Sequence, residues 1–176
     1  MSDAIRVGLV GFGYASKTFH APLIGGTPGM ALKAVASSDA DKVHADWPGV
    51  KVMSAPGDLL DDPDIDLVVI ATPNDTHFPL AKAALEAGKH VVVDKPFTVT
   101  LSQARELESL AKHCGRILSV FHNRRWDSDF LTVSALINEG QLGEVCYFES
   151  HFDRFRPQVR QRWREQAGPG SGIWYD

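Results

Sequence analysis

The stretch IRVGLVGFGYAS, residues 5–16, decides the fold. Its apolar first half, residues 5–10, has the composition of a strand that is covered on both faces. Gly11 permits a tight turn from strand to helix, and Gly13 lets the backbone approach a pyrophosphate at the positive end of the next helix. Ser16 replaces the usual third glycine of this pattern, a position that serves close packing and accepts a small residue. The stretch therefore predicts a dinucleotide-binding turn of the Rossmann type.

The remainder of residues 1–122 alternates short apolar runs with amphipathic segments, which is typical of a doubly wound parallel α/β sheet. The predicted strands are 5–10, 31–37, 50–53, 67–72, 90–94 and 117–121. The predicted helices are 76–87, 101–114 and 127–139, each followed at once by a glycine. A looser alternation over residues 145–153 predicts an antiparallel strand. Residues 123–176 are therefore expected to begin a second, α+β substrate domain.

Composition narrows the class of function. The 176 residues are 44% hydrophobic, and 22 acidic against 18 basic residues give a net charge of −4. A nucleic-acid or membrane-surface binder would carry a basic excess, so neither partner is expected. The two cysteines, Cys114 and Cys146, predict neither a disulfide framework nor a metal site. Because no signal peptide or membrane span is recognisable, a cytoplasmic location is expected.

Two alternatives are open at the end of the second strand, where an acidic residue would bind the ribose 2′-hydroxyl of the cofactor. If Asp39 reaches the ribose, NAD is favoured. If Ser37 and Ser38 line the pocket and Asp39 caps the next helix, NADP is accommodated, with Lys42 nearby. The cap is the ordinary role of an acid before a helix, so NADP is preferred over NAD.

The segment ATPNDTH, residues 71–77, follows the fourth strand at the sheet edge where Rossmann folds bind their ligands. It is either part of that ligand site or a proline-directed turn. In the second case Asn74 or Asp75 would cap the following helix.

The segment VDKPF, residues 93–97, follows the fifth strand at the same edge. Lys95 would place an ammonium group at the mouth of the sheet near the nicotinamide, with Asp94 to hold it. Pro96 is a candidate for a cis peptide bond, a device that fixes an adjacent side chain. The alternative is a solvated lysine in a turn.

Taken together and in this order, these motifs resemble the Gfo/Idh/MocA family (glucose–fructose oxidoreductase and inositol dehydrogenase). The motifs are Gly11-Phe12-Gly13, Thr72-Pro73-Asn74 with His77, Asp94-Lys95-Pro96, NRRWD at 123–127 and RWRE at 162–165. The family more often has Glu than Asp before the Lys-Pro pair, a difference that keeps the charge and shortens the reach.

The resemblance implies an NAD(P)-dependent oxidoreductase that transfers a hydride between nicotinamide and a carbinol or carbonyl of a sugar or polyol. Lys95 would be catalytic, steadying the substrate oxygen as negative charge develops on it. The implied cofactor-binding residues are Gly11, Phe12, Gly13, Tyr14, Ala15, Ser37, Ser38, Thr72, Pro73, Asn74, His77, Asp94, Lys95, Pro96, Asn123 and Arg125. A small-molecule substrate and a homo-oligomer are also implied.

The resemblance further implies a proton-transferring histidine, which follows a Gly-rich stretch and an acid in the second domain. Gly170-Ser171-Gly172 and Asp176 match the start of that signature, but the histidine does not occur within the 176 residues. This chain is therefore expected to bind the cofactor only. The alternative is a non-catalytic NAD(P)-binding sensor or interaction module. His20 and His122 are interpreted as structural.

Overall fold

A computed structural model of the chain describes residues 4–153, 155–158, 167–168 and 170–172. The strands are β1 (Ile5–Val10), β2 (Met30–Ala36), β3 (Lys51–Met53), β4 (Leu67–Ile70), β5 (His90–Asp94) and β6 (Leu118–Phe121). The α-helices are α1 (Ala21–Gly26), α2 (Ala40–His44), α3 (Pro56–Leu60), α4 (Asn74–Glu86), α5 (Leu101–Cys114) and α6 (Ser128–Asn138). A π-helical turn, Ser16–His20, leads into α1, and a 3₁₀ turn, Asn123–Trp126, follows β6.

The six strands form one parallel sheet in the order β3-β2-β1-β4-β5-β6. The chain winds outward from β1 in one direction and then from β4 in the other, so the strand order reverses between these two neighbours. This confirms the predicted doubly wound Rossmann fold, and it places the ligand crevice at the carboxyl ends of β1 and β4.

The strand register aligns the ends of all six strands. One row of paired residues crosses the whole sheet, and its members are Met53, Ala36, Val10, Ile70, Val93 and Val120. The residues that come next in each strand or loop therefore stand side by side along one edge. The candidate site is built from those residues.

Both faces of the sheet are buried, as continuous apolar strands require. Alternate side chains of β4 show this, since Val68 and Ile70 belong to one core cluster and Val69 belongs to the other. The first cluster is covered by α4 and α5, through residues such as Leu85 and Leu107. The second is covered by the helix that follows the glycine turn.

The predicted strand over residues 145–153 is wrong. The segment has no regular secondary structure, and its aromatic side chains, among them Tyr147 and Phe148, are exposed. Alternation alone does not make a strand, because each backbone N–H and C=O needs a partner on a neighbouring strand. Among the described residues, no strand pairs with it. The RWRE motif and Asp176 lie outside the described residues.

The other predicted elements are present with small shifts at their ends. Helix α4 begins at Asn74, two residues earlier than predicted, with Pro73 at the N-cap. Neither Asn74 nor Asp75 acts as the cap, so that alternative is wrong. The short α3 escaped prediction because five residues give little periodic signal. In the described part of the chain, no helix has the length and apolar character needed to cross a bilayer.

Candidate dinucleotide site

Gly11 makes the turn out of β1. Its φ is +90°, a region that L side chains rarely adopt, and a Cβ there would lie 2.8 Å from the Ala71 carbonyl oxygen. Its N–H donates to the Ala36 carbonyl at 3.0 Å. The turn is thus fitted between the ends of β2 and β4, and glycine is required by both conformation and space.

At position 13, neither the backbone conformation nor the surrounding space requires a glycine. Apart from its chain neighbours, no atom of the described residues lies within 4 Å of the position that its Cβ would take, and the residue is exposed. The space above its backbone is therefore open, which fits the close approach of a pyrophosphate to the second glycine of the fingerprint. Ser16 is fully buried, and its hydroxyl donates to the Gly11 carbonyl at 2.8 Å. The small third residue packs beneath the turn, as its position in the pattern predicts.

A cleft of about 450 Å³ opens over this turn and extends across the ends of β1, β2 and β3. Its lining residues are Val10, Gly11, Phe12, Gly13, Ala36, Ser37, Ser38, Asp39, Lys42, Ser54, Pro56 and Thr72. This volume falls within the range of small-molecule sites. Ser54 and Pro56 were missed in the sequence, although the rule that sites follow strand ends applies equally to the residues after β3.

Asp39 serves as the N-cap of α2. Its Oδ1 accepts the Lys42 backbone N–H at 3.0 Å, while the Ser37 hydroxyl lies 3.2 Å from both the N and the O of Asp39. Of the two alternatives for this position, the capping role is the one present in the structure. The hydroxyl-bearing residues Ser37 and Ser38 and the side chain of Lys42 remain at the cleft wall.

Hydrogen bonds organise the loop after β4. The Thr76 hydroxyl donates its single proton to the Pro73 carbonyl at 2.6 Å, so the Thr72 hydroxyl donates to Thr76, also at 2.6 Å. Thr72 borders the cleft, and Pro73 is exposed beside it. Asn74, in contrast, is only 3% exposed, and its side-chain N–H donates to the Gly170 carbonyl at 2.6 Å. Its side chain therefore faces the protein.

His77 joins this loop to the next one. Its Nε2 lies 2.9 Å from the Thr72 carbonyl oxygen and its Nδ1 lies 2.8 Å from the Pro96 carbonyl oxygen, and the ring is 1% exposed. Because both partners are acceptors, the ring donates to one of the two loops whichever nitrogen carries the proton. His77, which the family resemblance implies to be a cofactor-binding residue, is thus a buried residue that connects the two loops.

Asp94 and Lys95 form the start of the loop after β5. Asp94 Oδ1 accepts the Lys95 backbone N–H at 2.8 Å, and the Lys95–Pro96 peptide bond is cis, as considered from the sequence. Asp94 Oδ2 lies 3.5 Å from Nε2 of the buried His20, whose ring contacts Phe121 in a tilted arrangement with centroids 4.3 Å apart.

The charge of Asp94 follows from these neighbours. Burial raises the pKa of its carboxyl, but the His20 ring and the Lys95 N–H lower it by more, so the pKa lies below its usual value. Asp94 is therefore a carboxylate at neutral pH, and it anchors the backbone of the residue that was predicted to be catalytic.

The remaining predicted residues do not line the cleft. Tyr14 is exposed and meets Phe19 edge to face, and Ala15 is half-buried. Asn123 and Arg125 lie on the 3₁₀ turn after β6, half-buried and exposed respectively, and neither lines the 450 Å³ cleft. The geometry therefore brings the glycine turn, the β2 end and Thr72 into one cleft, with Lys95 two strands from β1.

Comparison with known proteins gives the same assignment for both parts of the chain. Residues 5–122 match the Gfo/Idh/MocA oxidoreductase family in its NAD-binding Rossmann fold, and residues 134–176 match its C-terminal alpha/beta domain. The uncharacterized oxidoreductase YdgJ of Escherichia coli is 78% identical over all of this chain, which covers 51% of YdgJ. The scyllo-inositol 2-dehydrogenase (NADP(+)) IolW of Bacillus subtilis is 38% identical over 99% of this chain and 49% of its own length.

Among solved structures, the YPO2259 protein of Yersinia pestis matches with a TM-score of 0.93 and 70% identity, over 99% of this chain and 49% of that protein. The chain thus spans about half the length of the curated relatives that it matches. Since its cleft carries the family's glycine turn and its sequence matches the family over both parts, the chain belongs to the Gfo/Idh/MocA family of oxidoreductases, with an NAD-binding Rossmann domain.

Proposed function

We propose that this chain belongs to an NAD(P)-dependent dehydrogenase that transfers a hydride between nicotinamide and a carbinol or carbonyl of a sugar or polyol. The open space above Gly13 carries the proposal. The packing of the described residues does not require a glycine there, whereas a pyrophosphate lying across the turn does.

The cofactor would lie along the cleft with its pyrophosphate over residues 11–15, at the start of a helical run that extends from residue 14 to 26. Ser37 and Ser38 would contact the adenosine ribose. We prefer NADP, because the Asp39 carboxylate is engaged as a helix cap and Lys42 offers a cation to a 2′-phosphate. The name of the relative IolW also specifies NADP(+).

The reacting end of the cofactor would lie towards β5. Two strand spacings, about 10 Å, separate β1 from β5, so Lys95 stands well away from the pyrophosphate turn. The bound cofactor would supply the hydride acceptor or donor. The Lys95 ammonium would steady the substrate oxygen as it gains negative charge, with Asp94 holding the lysine backbone. Thr72, Pro73 and Pro96 would line this part of the trough, and Asn123 and Arg125 would border it.

The two parts of the chain would divide the work. Residues 1–122 would bind NAD(P), and residues 123–176 would begin the substrate domain, through which the cytoplasmic protein would form a homo-oligomer. A sugar or polyol substrate is supported by the family and by the name of IolW, a scyllo-inositol dehydrogenase.

Calorimetric titration of this chain with NADPH and NADH tests the cofactor, and we expect saturable binding, tighter for NADPH. Because the chain is expected to bind the cofactor only, turnover of NADP with scyllo-inositol and other polyols is measured on a full-length relative such as YdgJ. In that relative, Lys95→Ala, numbered as in this chain, should lower kcat about 100-fold and change the NADPH Kd less than twofold, whereas Lys33→Ala, on the exposed part of β2, should change neither. Absence of binding by both nucleotides would refute the proposal. Tight binding without turnover would favour a non-catalytic module.

A further inference from the structure

A long-range hydrogen bond ties the glycine-rich segment near the end of the chain to the Rossmann domain. The Asn74 side-chain N–H donates to the Gly170 carbonyl at 2.6 Å, across 96 positions of sequence, and both residues are buried. A buried carbonyl needs a donor, and a buried amide needs an acceptor. Each group here satisfies the other.

The shape of the segment is specific to this contact. Gly170 has φ +72°, and a Cβ there would lie 2.7 Å from Val99 Cγ1 and 3.2 Å from Asn74 Cβ. The backbone N–H and the hydroxyl of Ser171 both donate to the Gly168 carbonyl, at 3.2 and 2.7 Å. The chain thus turns back on itself between Gly168 and Ser171. Gly168, Gly170 and Ser171 are here called the glycine turn-back, in which Gly170 fits only without a side chain.

The glycine turn-back lies on two loops of the candidate site at once. Asn74 directly follows Thr72 and Pro73 after β4, and Val99 belongs to the loop that carries Lys95 after β5. His77 already joins these two loops from beneath. The glycine turn-back therefore packs where a displacement of either loop would displace it.

We propose that Asn74 is a positioning residue, whose amide holds the glycine turn-back of the second part of the chain against the loops after β4 and β5. Its side chain then fixes where the second part approaches Lys95 and makes no contact with the cofactor. The Asn74–Gly170 contact is inferred from the geometry alone. Its consequence for turnover rests on the dehydrogenase function proposed above.

Hydrogen–deuterium exchange followed by mass spectrometry tests the contact. Asn74→Asp keeps the shape of the side chain but places an acceptor against the Gly170 carbonyl, and a carboxylate is tolerated in the first turn of a helix. Gly170→Ala adds a Cβ that would lie too close to Val99 and Asn74, and it leaves the Asn74 side chain itself unaltered. We expect both variants to raise exchange at least tenfold in peptides that cover residues 167–172, with β1 and β4 peptides unchanged.

Two matched controls are available. At Gly168, apart from the chain neighbours, no atom of the described residues lies within 4 Å of a Cβ position, and φ is outside the left-handed region. Gly168→Ala should therefore leave exchange as in the wild type. Asn138→Asp makes the same chemical change on exposed α6 and should also have no effect on this peptide. Wild-type exchange of residues 167–172 in both Asn74→Asp and Gly170→Ala would overturn the proposal.

Steady-state kinetics and calorimetry separate positioning from cofactor binding. In the full-length relative used above for turnover, Asn74→Asp, numbered as in this chain, should leave the NADPH Kd within twofold of the wild-type value and lower kcat at least tenfold. An NADPH Kd that rises as much as kcat falls would assign Asn74 to the cofactor and overturn the proposal. If the wild-type protein binds no dinucleotide, the proposed function fails, and the exchange experiment still decides whether the anchor exists.

Discussion

His77 Nδ1 lies 2.8 Å from the carbonyl oxygen of Pro96, nineteen residues away and on the next strand's loop. The other ring nitrogen faces the Thr72 carbonyl at 2.9 Å. One buried ring therefore sets the distance between the loop that borders the dinucleotide cleft and the loop that carries Lys95. A Rossmann sheet fixes where its strands end, but side chains such as this one fix where the loops go next.

Replacement of His77 by Ala should destabilise the protein by about 2–4 kcal/mol, because it leaves a cavity and takes the hydrogen-bond donor away from one of the two loop carbonyl groups. Urea unfolding followed by circular dichroism measures this. His113→Ala is the control, since His113 is exposed near the end of α5 and should change stability by about 0.5 kcal/mol or less. Equal unfolding midpoints for His77→Ala and the wild type would contradict the bridging role.

Gly13→Ala should weaken NADPH binding at least tenfold, about 1.4 kcal/mol or more, because the new methyl group occupies the space proposed for the pyrophosphate. Its Cβ would meet no side chain of the described residues, so the melting temperature should stay that of the wild type. Gly49→Ala also adds a methyl group in open space, at a position that does not line the cleft, and should leave the Kd unchanged. An unaltered NADPH Kd in Gly13→Ala would contradict the placement of the pyrophosphate.

The parts of the molecule that the sequence predicts are those with local causes. A glycine pair after an apolar run needs no distant partner to make its turn, and the helix Leu101–Cys114 is delimited by its own Thr100 cap and by Gly115 in the left-handed conformation. Because parallel strands end at one edge, the cleft residues after β1, β2 and β4 follow from the strands alone.

The contacts that escaped prediction all have distant partners. Asn74 and Gly170 are 96 residues apart, and His20 meets Asp94 across the sheet edge, so neither pair leaves a pattern in a local window. The segment 145–153 shows the opposite error, since it has a strand's alternation without a neighbouring strand among the described residues. Tertiary pairing decides in all three cases.

Acid should remove a stabilising ion pair at the opposite edge of the sheet. Hydrogen bonds from the Arg6 guanidinium, at 2.8 and 2.9 Å, and from the Arg6 backbone N–H lower the pKa of Asp66 from 3.8 to about 2. A carboxyl whose pKa is lower in the folded state stabilises the protein above its unfolded-state pKa, and this stabilisation is lost as the pH falls from about 4 to about 2.

Asp66→Asn should therefore lower the free energy of unfolding by about 1 kcal/mol at pH 6, a value reduced for solvent screening because the side chain is 38% exposed. Urea unfolding at pH 6, 4 and 3 should show that the difference in unfolding free energy between Asp66→Asn and the wild type becomes smaller as the pH falls. Asp64→Asn removes only an outer contact of Arg6, on a side chain that is 81% exposed, and should have a smaller effect. A difference in unfolding free energy that stays constant across this pH range would exclude Asp66 as the titrating group.

Lys42→Ala should distinguish the two cofactors. A 2′-phosphate carries close to two negative charges at neutral pH, and Lys42 places a cation at the wall of the cleft beside Ser37 and Ser38. Removing it should weaken NADPH binding about fivefold, in keeping with an exposed charge contact of about 1 kcal/mol, and leave the NADH Kd within twofold. The Asp39 cap survives because it uses the backbone N–H of residue 42.

Calorimetry at 50 and 300 mM salt adds a second criterion. The difference in NADPH Kd between wild type and Lys42→Ala should shrink at high salt, and the NADH Kd should show no such change. Equal losses for both nucleotides would place Lys42 against a group that they share, and the preference for NADP would then lose its main support.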